Sequence, residues 1–201
     1  PAMSIRPRRS VLYMPGSNAR ALEKARTLPA DVVILDLEDA VAPDAKETAR
    51  AQVAAAVTQG GFGHREVVVR INGLDTAWGA DDLKALAPVG ADVILIPKVN
   101  EGADLVVVGK AIAAAGAPDR TAVWAMMETP LAMLNAAGIA AAATDRTTRL
   151  AGFVMGTNDL AKETGARIVP GRAPMNAWLM TSLAAARAYG LAILDGVWNE
   201  I

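Results

Sequence analysis

The sequence predicts an α/β fold built on a parallel sheet, with its chemistry gathered at the carboxyl ends of the strands. Three observations lead there. Short continuous runs of Val, Ile and Leu recur along the chain, as in Val32–Leu35, Val67–Val69 and Val93–Ile96. Runs without polar alternation suit strands covered on both faces, which is the condition of parallel sheets flanked by helices. Helix-like, often alanine-rich stretches separate these runs. Most runs also close on polar residues able to do chemistry: Asp36, Glu38 and Asp39; Arg70 and Asn72; Lys98; Glu128; and Asp159.

The elements follow in order. Ser10–Met14 reads as a first strand, and Pro15-Gly16-Ser17-Asn18 leads into a helix from Ala19 to Leu28 capped by Ser17 or Asn18. Asp31–Leu37 is the second strand. Pro43-Asp44 opens a helix that stops at Gly60-Gly61, because proline suits a first helical turn. Glu66–Ile71 is the third strand and Ala80–Leu86 a short helix. Asp92–Ile96 is the fourth strand, and Gly102–Ala115 the helix after it. Ala122–Met127 is the fifth strand, followed by a Pro130-led helix to Ala143. Gly152–Met155 is the sixth. Lys162–Pro174, rich in Gly, Pro and Arg, reads as a loop. Met175–Tyr189 is helical, and Leu191–Leu194 is a seventh strand.

Seven such units admit either a doubly wound sheet or a closed barrel. Polar residues follow most strands, whereas an open sheet concentrates them at one switch point, and no Gly-x-Gly-x-x-Gly follows the first strand. The expectation is a (β/α)8 TIM barrel, a single domain over residues 1–201, truncated after the seventh strand, since such barrels run to about 250 residues.

Composition narrows the function. The chain is 53% hydrophobic with a net charge of −1 and no basic run, which removes the electrostatic footprint of a nucleic-acid binder. No apolar stretch reaches the roughly 18 residues that span a bilayer, and the start lacks a signal peptide's apolar core. A soluble, cytoplasmic setting is expected. With no cysteine and one histidine, His64 in a glycine-rich turn, thiolate chemistry is excluded and a His-rich metal site or serine–histidine couple disfavoured.

Glu128 and Asp159 end consecutive strands, so in a barrel they could converge on one ion. Two hard oxygen ligands without imidazole or thiolate suit Mg²⁺; the alternative is that each merely caps the next helix. Arg70 ends a strand of Val and Ile and needs an anionic partner there: a substrate carboxylate, or Asp36 or Glu38. Lys98 could equally be a solvated strand end. Gly16, Arg20 and Lys24 mark a helix start that could hold phosphate or be an ordinary capped helix, and the residues alone favour the latter.

The segments Arg9–Gly16, Leu35–Val41, Val69–Asn72, Ile96–Val99, Glu128-Thr129 and Gly156–Leu160 resemble the citrate lyase beta-subunit family, which includes malyl-CoA and citramalyl-CoA lyases within the HpcH/HpaI aldolase group. The likeness runs in order from Arg8 to Ile201. It implies a (β/α)8 barrel and a Mg²⁺-dependent carbon–carbon lyase, cleaving a 3-hydroxyacyl thioester to an acyl-CoA and a 2-keto acid. It further implies that Glu128 and Asp159 hold Mg²⁺ and that Arg70 binds the keto-acid carboxylate. Asp36, Glu38 and Asp39 would line the site, with Lys98 close by, so Arg70, Asp36 and Lys98 are the candidate catalytic residues and Arg70, Glu128 and Asp39 the substrate contacts. Gly16, Arg20 and Lys24 would approach the nucleotide or pantetheine of CoA or an acyl-carrier protein. A trimer or hexamer would be the assembly. Family members carry an eighth strand and a C-terminal segment that supplies an acid–base residue, so the general base is unassigned here. The rival expectations are a thioester hydrolase on the same scaffold, a CoA-independent pyruvate aldolase and a non-catalytic binding subunit.

Overall fold

A computed structural model describes residues 6–199. Its seven strands are β1 (Val11–Pro15), β2 (Val32–Asp36), β3 (Glu66–Arg70), β4 (Val93–Ile96), β5 (Ala122–Met127), β6 (Leu150–Met155) and β7 (Ala192–Leu194). They form one sheet in chain order, and every neighbouring pair is parallel. The helices are α1 (Ala19–Ala25), α2 (Lys46–Gln59), α3 (Gly79–Leu86), α4 (Gly102–Ala114), α5 (Pro130–Leu134), α6 (Ala136–Ala141), α7 (Thr157–Thr164) and α8 (Asn176–Ala188).

Side chains alternate across a strand, and that alternation divides the apolar residues into two cores. Val33, Leu35, Val67, Val69, Ile94, Val123, Ala125 and Phe153 face outward and pack under the helices. Val32, Ile34, Val68, Val93, Leu95, Trp124, Met126, Val154 and Leu194 face inward and pack on one another, with Val11 and Tyr13 against them. Contact between inward residues of β1 and those of β5 to β7 requires the sheet to curl. Tyr13 in fact reaches Met126 across the concavity, its hydroxyl 3.6 Å from the sulfur. β1 pairs only with β2 and β7 only with β6, so the sheet is a curled half-barrel, open between β1 and β7 among the described residues. This agrees with a barrel expected to be truncated, while a closed eight-stranded ring is not seen.

The amino end of the concavity is sealed electrostatically. Arg8 pairs with the inward Glu66 at 2.6 Å and lies over the Trp124 ring, 5.2 Å from its centroid, a cation–π arrangement that covers the inner core.

Two expected elements differ. The helix expected to run unbroken from Pro130 to Ala143 is interrupted at Asn135, whose backbone leaves helical geometry while its side-chain amide donates to the Asn100 carbonyl at 2.9 Å. The loop expected from Lys162 is helical as far as Thr164: α7 buries Leu160 and ends at Gly165, whose left-handed φ of 73° is a usual helix stop. No helix among the described residues is long and apolar enough to cross a membrane.

Trp124 is the largest side chain of the inner core. Trp124→Ala should cost about 3–5 kcal/mol of unfolding free energy, read as a shift in urea midpoint.

Candidate active site

The inward alternation continues past the apolar residues to the carboxyl ends of the strands. Asp36 follows Val32 and Ile34; Arg70 follows Glu66 and Val68; Glu128 follows Trp124 and Met126. All three therefore turn to the inside of the curl. Asp36 and Arg70 are also register partners on β2 and β3.

Arg70 makes a two-pronged pair with Asp36: Nε to Oδ1 and Nη2 to Oδ2, both 2.6 Å. Its Nη1 lies 2.8 Å from Glu38 Oε2 and 3.4 Å from Asp39 Oδ2. Its guanidinium stacks on the Tyr13 ring at 5.0 Å. Burial works against the charge on Arg70, but the Asp36 hydrogen bonds and the surrounding carboxylates outweigh it and raise its pKa. Both partners expected within the protein, Asp36 and Glu38, are thus engaged.

Glu38 behaves differently. Burial pushes its carboxyl up to about 8, with Glu128, Asp39 and Asp36 adding to the rise and Arg70 opposing it. Its Oε2 is close enough to Arg70 for charge attraction but not aligned for a hydrogen bond. The guanidinium is already spent on Asp36.

Behind this group sits a residue the sequence reading missed. Lys46, at the start of α2, is buried and donates to the carbonyls of Leu37 and Glu38, both at 2.7 Å, and to Asn72 Oδ1 at 2.8 Å. Asn72 is held in turn by Asp82 at 2.6 Å, and Asp82 pairs with Arg50 at 2.7 Å. Burial lowers the pKa of Lys46, against the pull of neighbouring carboxylates. The ammonium ties the loop after β2 to the end of β3, so Asp36, Glu38 and Asp39 are presented to Arg70. A lysine beginning a polar helix turn looks like a surface residue in the sequence, and no local pattern marks it.

On the other side of the concavity, Lys98 adopts a left-handed φ of 52°, a conformation that is uncommon without glycine. The turn aims its backbone N–H at Glu128 Oε1, 2.8 Å away. Its ammonium donates to Asp159 Oδ1 at 2.6 Å and lies 3.9 Å from Glu128 Oε1 and 3.6 Å from Glu163 Oε1. Burial opposes the Lys98 charge, but Asp159, Glu128 and Glu163 raise its pKa overall. Lys98 is not a solvated strand end.

Glu128 is fully buried, and its Oε2 has no hydrogen-bond partner. Burial pushes this carboxyl up to about 7 despite the Lys98 N–H and ammonium. Gly156 permits its position: a Cβ there would lie 2.4 Å from Glu128 Cβ and 2.6 Å from Oε2. Asp159 stands in the first turn of α7 and caps nothing, since the N-cap is Gly156; Thr129 does cap α5, accepting from the Ala132 N–H at 3.0 Å.

A cavity of about 330 Å³ joins the two halves, lined by Tyr13, Asp36, Asp39, Arg70, Gly156 and Asp159 among others. Arg20 and Lys24 are exposed on α1 and do not line it. Gly16 has a structural role: a Cβ there would meet the Asp36 carbonyl at 2.7 Å and Val53 at 2.8 Å. His64 is exposed in its turn.

A family model described as HpcH/HpaI aldolase/citrate lyase matches residues 9–201. The chain belongs to this family. It is 56% identical over 193 residues to a (3S)-malyl-CoA thioesterase of Cereibacter sphaeroides strain KD131, covering 96% of this chain and 64% of that protein. It is 34% identical over 200 residues to citrate lyase subunit beta of Escherichia coli K12, covering 97% of the chain and 65% of that protein. The chain thus spans a little under two thirds of the curated relatives it matches. Among solved structures, the citrate lyase beta subunit of Mycobacterium tuberculosis complexed with oxaloacetate and magnesium superposes with a TM-score of 0.76 at 33% identity, over 96% of this chain and 81% of that one. A second structure of the protein from that organism, in complex with magnesium, acetoacetate and coenzyme A, gives 0.78 at 33% identity, over 97% and 68%.

Two outcomes test this geometry. Asp36→Ala should destabilise the protein by roughly 3 kcal/mol, because the buried guanidinium loses its two-pronged partner and keeps only Glu38 and Asp39 at Nη1, and adding Arg70→Met should recover much of the loss in urea titrations. The second concerns pH. Glu38 has its folded pKa raised from 4.5 to about 8, so between those values the folded state holds more protons and stability falls as pH rises. Glu38→Gln should therefore gain stability over the parent at about pH 9, and the gain should shrink toward about pH 5; a pH-independent difference would refute the assignment.

Proposed function

We propose that this chain carries the active site of a Mg²⁺-dependent thioester hydrolase acting on a 3-carboxy-3-hydroxyacyl-CoA of the malyl-CoA type. A carbon–carbon lyase, the activity that the motif resemblance implies, is the second reading. What moves the balance is the 56% identity to a malyl-CoA thioesterase, against 34% to a citrate lyase subunit.

The donor set fits the metal. Glu128 Oε2 is a buried carboxylate oxygen without a partner, next to Gly156, which lines the cavity. Asp159 lines the same cavity, and Lys98 connects it to Glu128. Among the described residues no three His, Cys, Asp or Glu side chains form a ready-made cage. Two carboxylates with remaining positions left to water and substrate oxygens suit Mg²⁺ rather than Zn²⁺ or Ca²⁺. Six carboxylates (Asp36, Glu38, Asp39, Glu128, Asp159 and Glu163) surround three cations (Arg70, Lys98 and Lys46). An anionic substrate entering among these carboxylates gains from a further positive charge, which would also favour the ionised forms of Glu38 and Glu128. Glu128 and Asp159 would hold Mg²⁺, which would supply Lewis-acid polarisation of substrate oxygens.

The protein's own groups do the rest. Arg70 would meet a substrate carboxylate through Nη1, which it shares with Glu38 and Asp39, and binding there orients the acyl chain. Asp36 keeps that guanidinium charged and fixed. Lys98 steers Asp159 and Glu128 together and presents a cation to developing negative charge. In the hydrolytic step, water oxygen bonds to the thioester carbon, the C–S bond breaks, and the thiolate takes up a proton to give CoA and a 2-hydroxy dicarboxylate. In the lyase alternative, the hydroxyl proton is lost, the C–C bond breaks to give glyoxylate and the enolate of acetyl-CoA, and the enolate carbon takes up a proton to leave as acetyl-CoA.

Incubation with (3S)-malyl-CoA and Mg²⁺ separates the two. Free thiol appearing in step with malate, without glyoxylate, supports hydrolysis; glyoxylate with intact thioester identifies the lyase. Glu128→Gln should lower either rate by 10²-fold or more, in the range set by losing a preorganised electrostatic group, while leaving the urea midpoint near that of the parent.

A further inference from the structure

Tyr13 lines the cavity with Arg70, Asp36 and Asp159, yet neither the sequence motifs nor the mechanism gives its hydroxyl a task. It stands on the inward face of β1, and its ring lies beneath the Arg70 guanidinium at 5.0 Å. Buried tyrosine hydroxyls normally find a good acceptor. Here the partner among the described residues is the thioether of Met126, at 3.6 Å, and methionine sulfur is a weak acceptor. The hydroxyl is thus held in the cavity wall by a contact that is easily exchanged. Met126 lies two residues before Glu128 on the inward face of β5, so the hydroxyl bridges the Arg70 half of the site and the Glu128 half.

Arg70 alone makes an incomplete anion receptor. Asp36 takes Nε and Nη2, and Glu38 and Asp39 crowd Nη1. A carboxylate arriving at the remaining edge meets fewer donors than a free guanidinium offers, and faces three protein carboxylates. A neutral donor beside that edge adds a hydrogen bond without adding charge. We propose that Tyr13 is a substrate-anchoring residue, its hydroxyl leaving Met126 to donate to the substrate carboxylate that Arg70 receives. Burial pushes the phenol up to about 12, with the Arg70 charge opposing, so the group remains a donor throughout the working range and never a base.

This inference rests on the reading that the site takes a carboxylate-bearing acyl group. Its test is binding rather than turnover. L-Malate with Mg²⁺, and separately acetyl-CoA, which lacks that carboxylate, are titrated calorimetrically into the parent chain and Tyr13→Phe. Phenylalanine keeps the ring under Arg70, and a matching thermal melt checks the fold. Malate affinity should fall roughly tenfold, the value of one hydrogen bond to a charged group, with acetyl-CoA affinity unchanged. The ratio between parent and variant should stay flat from about pH 6 to 9, because the phenol does not titrate there. Equal malate affinity in parent and variant overturns the Tyr13 role while leaving the functional reading intact. Equal losses for both ligands also overturn it, as general damage to the site. A parent chain that binds no malate overturns both.

Discussion

A guanidinium placed inside a protein must be answered by negative charge, and the carboxyl end of this half-barrel is organised around that requirement. Arg70 and Asp36 are neighbours in the parallel register of β2 and β3, so their meeting is set by strand pairing rather than by loops. Both prongs of the pair are 2.6 Å, and both partners are shielded by the inner core. Removing Asp36 would leave the guanidinium only Glu38 and Asp39 beside Nη1, and removing Arg70 would strip all three carboxylates of their shared cation. Tyr13 beneath the guanidinium and Lys46 behind the β2 loop are arranged with respect to this pair.

Asp36 takes two prongs of Arg70, and burial weighs on the carboxylates beyond it. Burial pushes Glu38 toward its protonated form against the pull of Arg70, and raises Glu128 despite Lys98. The Lys98 turn serves the opposite half of the site, tying Glu128 through its backbone and Asp159 through its side chain. The result is two linked electrostatic units across one cavity: a structural ion pair with a partly used cation, and a pair of carboxylates short of positive charge. Under the proposed function, a ligand carrying a carboxylate, accompanied by Mg²⁺, would complement both. A neutral ligand complements neither.

Much of this was legible in the sequence, for a definite reason. Strands buried on both faces cannot hide: Val32–Leu35, Val67–Val69 and Val93–Ile96 were read close to their observed bounds. The charged residues ending them stood out against that apolar background, and Asp36, Arg70, Lys98, Glu128 and Asp159 do gather at one end of the sheet. Where apolar signal was thin, the reading slipped. Helix α7 shows little beyond Leu160 facing inward, and its stop at Gly165 was overlooked. The alanine stretch around Asn135 carries no mark of a break, and the contact that accompanies it, a hydrogen bond to Asn100, joins residues far apart in the chain. Nothing local in β1 gives the Tyr13 hydroxyl a role, and Arg20 and Lys24, which the resemblance placed near an acyl carrier, are exposed on α1 and do not line this cavity.

The sequence by itself determined the parallel α/β architecture, the order of its strands and which polar residues lie at their ends, because period and burial are local properties of each segment. Only the tertiary structure decided how those residues are shared. That Arg70 is spent on Asp36, that Glu128 keeps one oxygen unpartnered beside Gly156, and that Lys46 is an interior clamp all depend on distances between segments far apart in the chain. Side-chain charge is written in the sequence; the counter-charge it meets is set by packing.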